Sequence, residues 1–471
     1  MVFSSNVFLF CFLPVVLTLN YLLPRRLRNS FLFLVSVFFY LWGIGPVILA
    51  FLAMIVVNYV GGALIDRSPG GRATLYVALM VAVDCAFLAY YKYLNFFGDQ
   101  LSLFCALFGV HWQRTYNILL PIGVSFFTFQ VIAYVVEIYR RQQVPAKHIV
   151  DLGMYLALFP HVVAGPIVRY SDISQEVDHR RTSLNDLFYG LQRFSIGLAK
   201  KVLIANQIGV IADRAFNQAP ASLTMSLAWL GAASYGLQIY FDFSGYSDMA
   251  IGLARLLGFH FPENFNQPYR ATSITDFWRR WHMTLSRWFR DFVYISLGGN
   301  RKGAVRTYAN LFVVFVLCGL WHGAAWHFVV WGMFHGGLLV IERVLKTRFG
   351  FVPRGPLGNV ASLLLVFVGW VLFRAADMDA ALAYLRTMFG LSPSPTVFIE
   401  PMSFYVNRRF LFFFACAAVI SVLPFERLRQ VAIWKRPVGL AAIGFGSLAL
   451  LFYSAAVLST VGFNPFIYFQ F

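Results

Sequence analysis

Three histidines stand in otherwise apolar sequence. His322 lies in Leu317-Cys318-Gly319-Leu320-Trp321-His322-Gly323-Ala324-Ala325-Trp326. The surrounding stretch, Tyr308 to Ile341, also holds His327 and His335 but no Lys, Arg, Asp or Glu. A full charge at membrane depth costs roughly 2.5–3.5 kcal/mol on insertion scales, so an ionisable group there is a functional candidate by default. Imidazole is the side chain that takes and returns protons near neutral pH. His282 is a second candidate. It sits in Phe277-Trp278-Arg279-Arg280-Trp281-His282-Met283-Thr284-Leu285-Ser286-Arg287-Trp288-Phe289-Arg290, where basic and aromatic residues interleave. His327 and His335 read as packed, hydrogen-bonded imidazoles.

Other chemistries find less support. Cys318 lies one helical turn before His322, so a transient S-acyl enzyme is conceivable there. All five cysteines nonetheless lie in apolar segments, match no metal framework and read as small buried hydrophobes. Asp242 and Asp248 are six residues apart and would not share a helix face. They read as caps and inter-helix hydrogen bonds, not as a metal or ion site. No phosphate-binding loop is present, and Gly298-Gly299-Asn300 reads as a turn.

These residues need membrane elements to position them. The 471 residues are 59% hydrophobic and only 12% charged, against about 25% charged in a soluble domain. Apolar runs of about 20 residues recur from end to end. Lipid leaves only helices and closed barrels, and the long continuous runs exclude barrel strands. The chain is therefore expected to be all-α, with roughly eleven to thirteen spans and re-entrant segments, in one domain over 1–471. The net charge of +18 would suggest nucleic acid in a soluble protein. Here the basic residues cluster in short loops, as the positive-inside rule and anionic headgroups both favour. Membrane lipid is the expected partner, and nucleic acid is not.

Loop charge orients the chain. Met1–Asn6 lacks the basic stretch of a cleavable signal. Pro24-Arg25-Arg26-Leu27-Arg28 after the first apolar run puts the N-terminus outside and the arginines in the cytoplasm. The next apolar run breaks at Gly43-Ile44-Gly45-Pro46, and Leu101–Val110 reads as interfacial. Phe159-Pro160-His161-Val162-Val163-Ala164-Gly165-Pro166 reads as a broken or re-entrant helix. Ser392–Val406 reads as an ordered external loop. Between Arg255 and Arg306 nine Lys or Arg face three acids. Within it, Trp278, Trp281, Leu285 and Trp288 fall on one face of an amphipathic surface helix. Basic loops flank the His322 segment on both sides. Its first arm, Tyr308–Leu320, reaches about 20 Å at 1.5 Å per residue, short of a core about 30 Å thick. The apex Trp321-His322-Gly323-Ala324 is thus expected to stop at mid-depth.

Trp281-His282-Met283-Thr284-Leu285-Ser286, Leu320-Trp321-His322-Gly323-Ala324, Asp242-Phe243-Ser244-Gly245-Tyr246-Ser247-Asp248 and the terminal Phe466–Phe471 resemble the membrane-bound O-acyltransferase family, in its bacterial exopolysaccharide branch. The resemblance covers essentially the whole chain. It implies a helical rim around two funnels that meet at a thin middle, in a multi-pass bacterial inner-membrane protein. It implies that His322 is the catalytic base and His282 the second functional histidine. The expected reaction takes acetyl from acetyl-CoA or another cytoplasmic acyl thioester. The expected acceptor is an extracellular polysaccharide of alginate or cellulose type, reached with a periplasmic acetyltransferase partner. Trp278, Arg279, Arg280, Lys302 and Trp321 are expected to bind the donor, with no bound cofactor and no metal. Two other readings compete: a transporter or flippase for a lipid-linked sugar, and a structural subunit of a polysaccharide synthase. The first should show inverted repeats, and none is visible. The second needs no His322.

Overall fold

A computed structural model describes residues 2–392, 400–423, 437–460 and 466–467. Residues 393–399 of the external loop expected at Ser392–Val406, and the terminal run after Ile467, lie outside the described residues, and the described part of that loop includes a short helix, Met402–Tyr405. Within those residues the chain is all-α, with no strand. Seven helices are long and apolar enough to cross a membrane: Gly45–Arg67, Gly70–Ala106, Leu184–Phe216, Ala304–His322, Trp326–Phe349, Gly355–Arg374 and Val438–Thr460. Phe8–Leu22 and Val124–Tyr139 are shorter apolar helices. The chain is a polytopic helical membrane protein.

Several sequence signals map onto helix ends. The break at Gly45 is real: one helix ends at Ile44, a single 3-10 turn follows, and the next helix begins at Ile48. The segment after Ala157 leaves helical geometry until Tyr170, where Pro160, Gly165 and Pro166 interrupt the ladder. The expected interfacial run at Leu101–Val110 instead belongs largely to the helix ending at Ala106, continuous with the Gly70 span.

The chain forms two compact units. The first comprises Met1–Phe194 with Met249–Pro262. Its core is aromatic, with Phe3, Phe8, Phe12, Phe39 and Phe159 in mutual ring contact. The second comprises Ser195–Asp248 with Glu263–Phe471, and it holds every candidate site residue. Its centre is a cluster in which Trp281 packs on Trp370, and Trp278 on Trp331. Burying such rings stabilises a helical bundle even in lipid, because close packing there replaces the missing hydrophobic drive.

Candidate active site

The helices Ala304–His322 and Trp326–Phe349 form a hairpin whose turn is Gly323-Ala324-Ala325. Glycines bring the two arms into backbone contact. A Cβ on Gly319 would collide with the Phe328 carbonyl oxygen, and one on Gly332 with the Phe315 carbonyl oxygen. Small residues at a helix seam permit this approach in membranes. The first arm has 19 residues, about 28 Å of helix. It starts at Ala304, before the apolar run begins, so it is longer than the 13-residue arm read from sequence. Arm length therefore does not by itself hold His322 at mid-depth.

His322 is the last residue of that arm and is buried. Its ring lies 4.8 Å from Trp321, 5.0 Å from Trp331 and 5.1 Å from Phe373. The Trp331 and Phe373 contacts are edge-on, at 84° and 78°. Both arms of the hairpin and the helix Gly355–Arg374 thus fix the imidazole plane.

His282 is placed differently. The single amphipathic helix expected through Phe277–Arg290 does not form. The chain makes two short helices, Ile274–Trp278 and Met283–Trp288, followed by a π-helical turn, Phe289–Tyr294. His282 sits at the N-terminus of the second helix with φ 42 and ψ 55, in the left-handed region. A non-glycine residue pays roughly 1–2 kcal/mol for that conformation, and such residues cluster at functional sites. The segment is not a surface helix either: Trp278, Trp281, Leu285 and Trp288 are all buried. Within the segment Arg279 and Arg290 are exposed. Glu342, on the second hairpin arm, anchors the segment. Its carboxylate accepts the backbone N–H groups of Ile274 and Thr275 and the Thr275 hydroxyl. This caps the first short helix with charge of the favourable sign.

The hydrogen bonds around His282 define its tautomer. Asn264 Oδ1 accepts from the Thr284 hydroxyl at 2.8 Å and faces the Thr284 backbone N–H at 3.4 Å. A backbone N–H can only donate, so the amide oxygen must face it, which settles the amide orientation. The same oxygen lies 3.0 Å from His282 Nδ1. That nitrogen must therefore carry the proton, and in a neutral ring the lone pair is then on Nε2. Asn264 Nδ2 in turn donates to Ser247 Oγ at 3.1 Å. His282 is fully buried, and burial pushes its pKa down to about 3. The ring is neutral at physiological pH.

Trp321 joins the two histidines. Its ring lies 6.2 Å from His282 and 4.8 Å from His322. Two buried imidazoles thus lie against one indole.

The remaining candidates divide. Trp278 is buried against Trp331 and donates its indole N–H to His335 Nδ1 at 3.4 Å. Arg280 is half-buried and committed, pairing with Asp276 at 2.9 Å and reaching the Asn266 carbonyl. Arg279 and Lys302 are exposed. His327 donates to the Leu372 carbonyl at 3.0 Å, so both it and His335 are packed, hydrogen-bonded imidazoles. Cys318 is buried. Asp242 and Asp248 take consecutive lysines as partners: Asp242 pairs with Lys201 at 2.5 Å and Asp248 with Lys200 at 2.7 Å. The lysines open a π-helical turn, Lys200–Ala205. Among the described residues no cluster could hold a metal ion. Sequence reasoning missed Asn264. It stands eighteen residues before His282, in a loop where no spacing rule links the two.

The family described as MBOAT, membrane-bound O-acyltransferase family, matches residues 147–376. A protein named "Probable alginate O-acetylase AlgI" from Azotobacter vinelandii is 42% identical over 100% of both chains. A peptidoglycan O-acetyltransferase of Helicobacter pylori is 35% identical over 83% of this chain and 80% of its own. A teichoic acid D-alanyltransferase of Bacillus subtilis is 27% identical over 54% of this chain and 67% of its own.

Proposed function

This chain belongs to the membrane-bound O-acyltransferase family, and we propose that it moves an acetyl group from a cytoplasmic acyl thioester to a hydroxyl of an extracellular polysaccharide. It is an O-acyltransferase; donor, acceptor and residue roles are the proposal. The observation that carries it is the pair of buried imidazoles, His282 and His322, that both lie against the Trp321 ring.

His322 acts as the general base. Its neutral imidazole takes the acceptor hydroxyl proton as the oxygen attacks the thioester carbonyl. The C–O bond forms, the tetrahedral intermediate collapses, and the C–S bond breaks. The leaving thiolate then takes the proton from the His322 imidazolium, which restores the free base. His282 serves this step as an acceptor. With Nδ1–H committed to Asn264, Nε2 offers a lone pair and no proton. That suits orienting a donor N–H or the acceptor hydroxyl, and it does not suit protonating the thiolate. The aromatic box keeps water from competing as the nucleophile. Arg279 and Lys302, exposed and cationic, attract an anionic donor from the cytoplasm.

The relatives named above act, by their names, on alginate, peptidoglycan and teichoic acid. All three are polymers outside the cytoplasmic membrane. The relatives that match this chain from end to end favour an alginate-type acceptor, with a periplasmic partner finishing the transfer and the N-terminus on the periplasmic side of the inner membrane. Purified protein in phospholipid vesicles, given labelled acetyl thioester, tests this reading. Labelled acetyl should reach a glycan or partner hydroxyl and thiol should be released. A protein that binds the donor but releases no thiol would reject it.

A further inference from the structure

We infer that the first compact unit carries a binding pocket for a phosphate-bearing ligand, built by Arg25 and Arg28 from one segment and Arg180 and Arg181 from another. The four side chains line a cavity of about 190 Å³. The positive-inside rule explains why arginines occur in such loops. It does not explain why two segments far apart in sequence converge on one cavity.

The charge in this cavity is uncompensated. Among the described residues none of the four guanidiniums has a carboxylate partner in an ion pair. The one acid lining the cavity, Asp178, pairs with Lys147 at 2.6 Å. The other nearby acids are also engaged: Glu176 with His260, and Asp151 with the Asn29 amide.

The cations are held in place. Arg180 lies with its guanidinium 4.5 Å over the Phe259 ring. Its stem runs past Gly258, where φ is +86 and a Cβ would stand 2.6 Å from Arg180 Cγ. Its Nη1 is buried and has no hydrogen-bond partner. Burial and the neighbouring Arg28 push its pKa down to about 10, so it remains charged at physiological pH. Arg28 is fixed by donating to the carbonyls of Leu23 and Tyr21, at 3.1 and 3.2 Å.

The backbone adds to the site. Arg25 opens the 20-residue helix Arg25–Ile44, whose first turn holds no acid and whose Pro24 cap accepts no side-chain bond. Arginines at a helix N-terminus have the wrong sign for its dipole. An anion bound there reverses that, taking the free backbone N–H groups as well. Phosphate oxygens match the planar guanidinium fork, so a phosphate is the group that best fits four arginines and a helix N-terminus. It could come from an anionic lipid headgroup or from a soluble polyphosphate.

The test uses the full-length protein purified in detergent. Inorganic pyrophosphate is titrated calorimetrically, and phosphatidylglycerol co-purifying with the protein is counted by mass spectrometry. The variants are Arg25→Gln/Arg181→Gln, both at exposed positions, and Arg180→Gln, checked for folding by gel filtration. Arg26→Gln, exposed and outside the cavity, is the control. One equivalent of pyrophosphate or of phosphatidylglycerol is expected. Binding should weaken about tenfold or more in the double variant, stay unchanged in the control, and weaken with added salt. Pyrophosphate binding identifies a soluble phosphate, and retained phosphatidylglycerol identifies a lipid. If neither binds, or the control weakens binding as much as the double variant, the pocket is rejected. This readout is binding, so its failure leaves the acyl-transfer proposal standing.

Discussion

His282 donates its Nδ1–H to the side-chain oxygen of Asn264 across 3.0 Å. That bond decides which nitrogen of His282 can act. Asn264→Ala should therefore lower acyl transfer about tenfold or more while the protein still folds, since it frees the ring to rotate and change tautomer. Asn264→Asp gives a sharper readout. A carboxylate beside the ring favours the imidazolium, so the His282 pKa should rise from about 3. The variant should then lose activity as pH falls through that raised value, where Nε2 is protonated. In the wild type any acid limb should come from His322 alone, so the readout is the additional loss that Asn264→Asp introduces at its raised His282 pKa. Identical pH profiles would show that Asn264 does not set the state of His282.

The hairpin seam should tolerate no side chain. Gly319→Val would drive a β-branched side chain into the Phe328 backbone, and overpacking of this kind costs about 1–3 kcal/mol or more. Reduced expression and a lower thermal transition in detergent are expected, with transfer lost in what remains. Normal stability would mean that the arms are not in backbone contact at Gly319.

The pair Lys201–Asp242 is buried on both sides, and Asp242 also accepts the backbone N–H of Ile467 at 2.8 Å. Phe466 lies 4.7 Å from the Lys201 ammonium. Asp242→Asn should leave an uncompensated buried charge and cost about 3–5 kcal/mol, whereas replacing both partners by apolar residues should cost less. Chemical or thermal denaturation of the two variants checks this ordering. A double variant less stable than the single one would overturn it.

The helical class, the broken segment near Pro160 and the turn after His322 were readable in the sequence, because apolar runs, prolines and glycines act locally. The geometry of His282 was not. Trp278, Trp281, Leu285 and Trp288 have helical spacing, which by itself implies one amphipathic face. In the folded unit the aromatics are buried on several sides, so no solvated face exists to keep the helix straight. The chain instead turns at His282, and nothing in the residue type announces a left-handed histidine. Asn264 was hidden for another reason: it reaches His282 through a tertiary contact, and a lone Asn in a loop reads as a turn former.

Topology can be tested separately. Loop charge places Lys302 on the cytoplasmic side. A cysteine at Lys302, in a background lacking the five native cysteines, should react with an impermeant maleimide only when the cytoplasmic face is open. Labelling only from outside would invert the orientation, and with it the cytoplasmic entry of the donor.

His322→Ala bears most directly on the proposed chemistry. His322 is packed among Trp321, Trp331 and Phe373, so the variant must first be shown to be expressed and folded. Acyl transfer from labelled thioester is then measured beside wild type and His327→Ala. General-base catalysis contributes typically 10²–10⁴-fold, so transfer by folded His322→Ala should fall by about that factor, with His327→Ala close to wild type. Wild-type transfer by folded His322→Ala would contradict the assignment of His322 as the base.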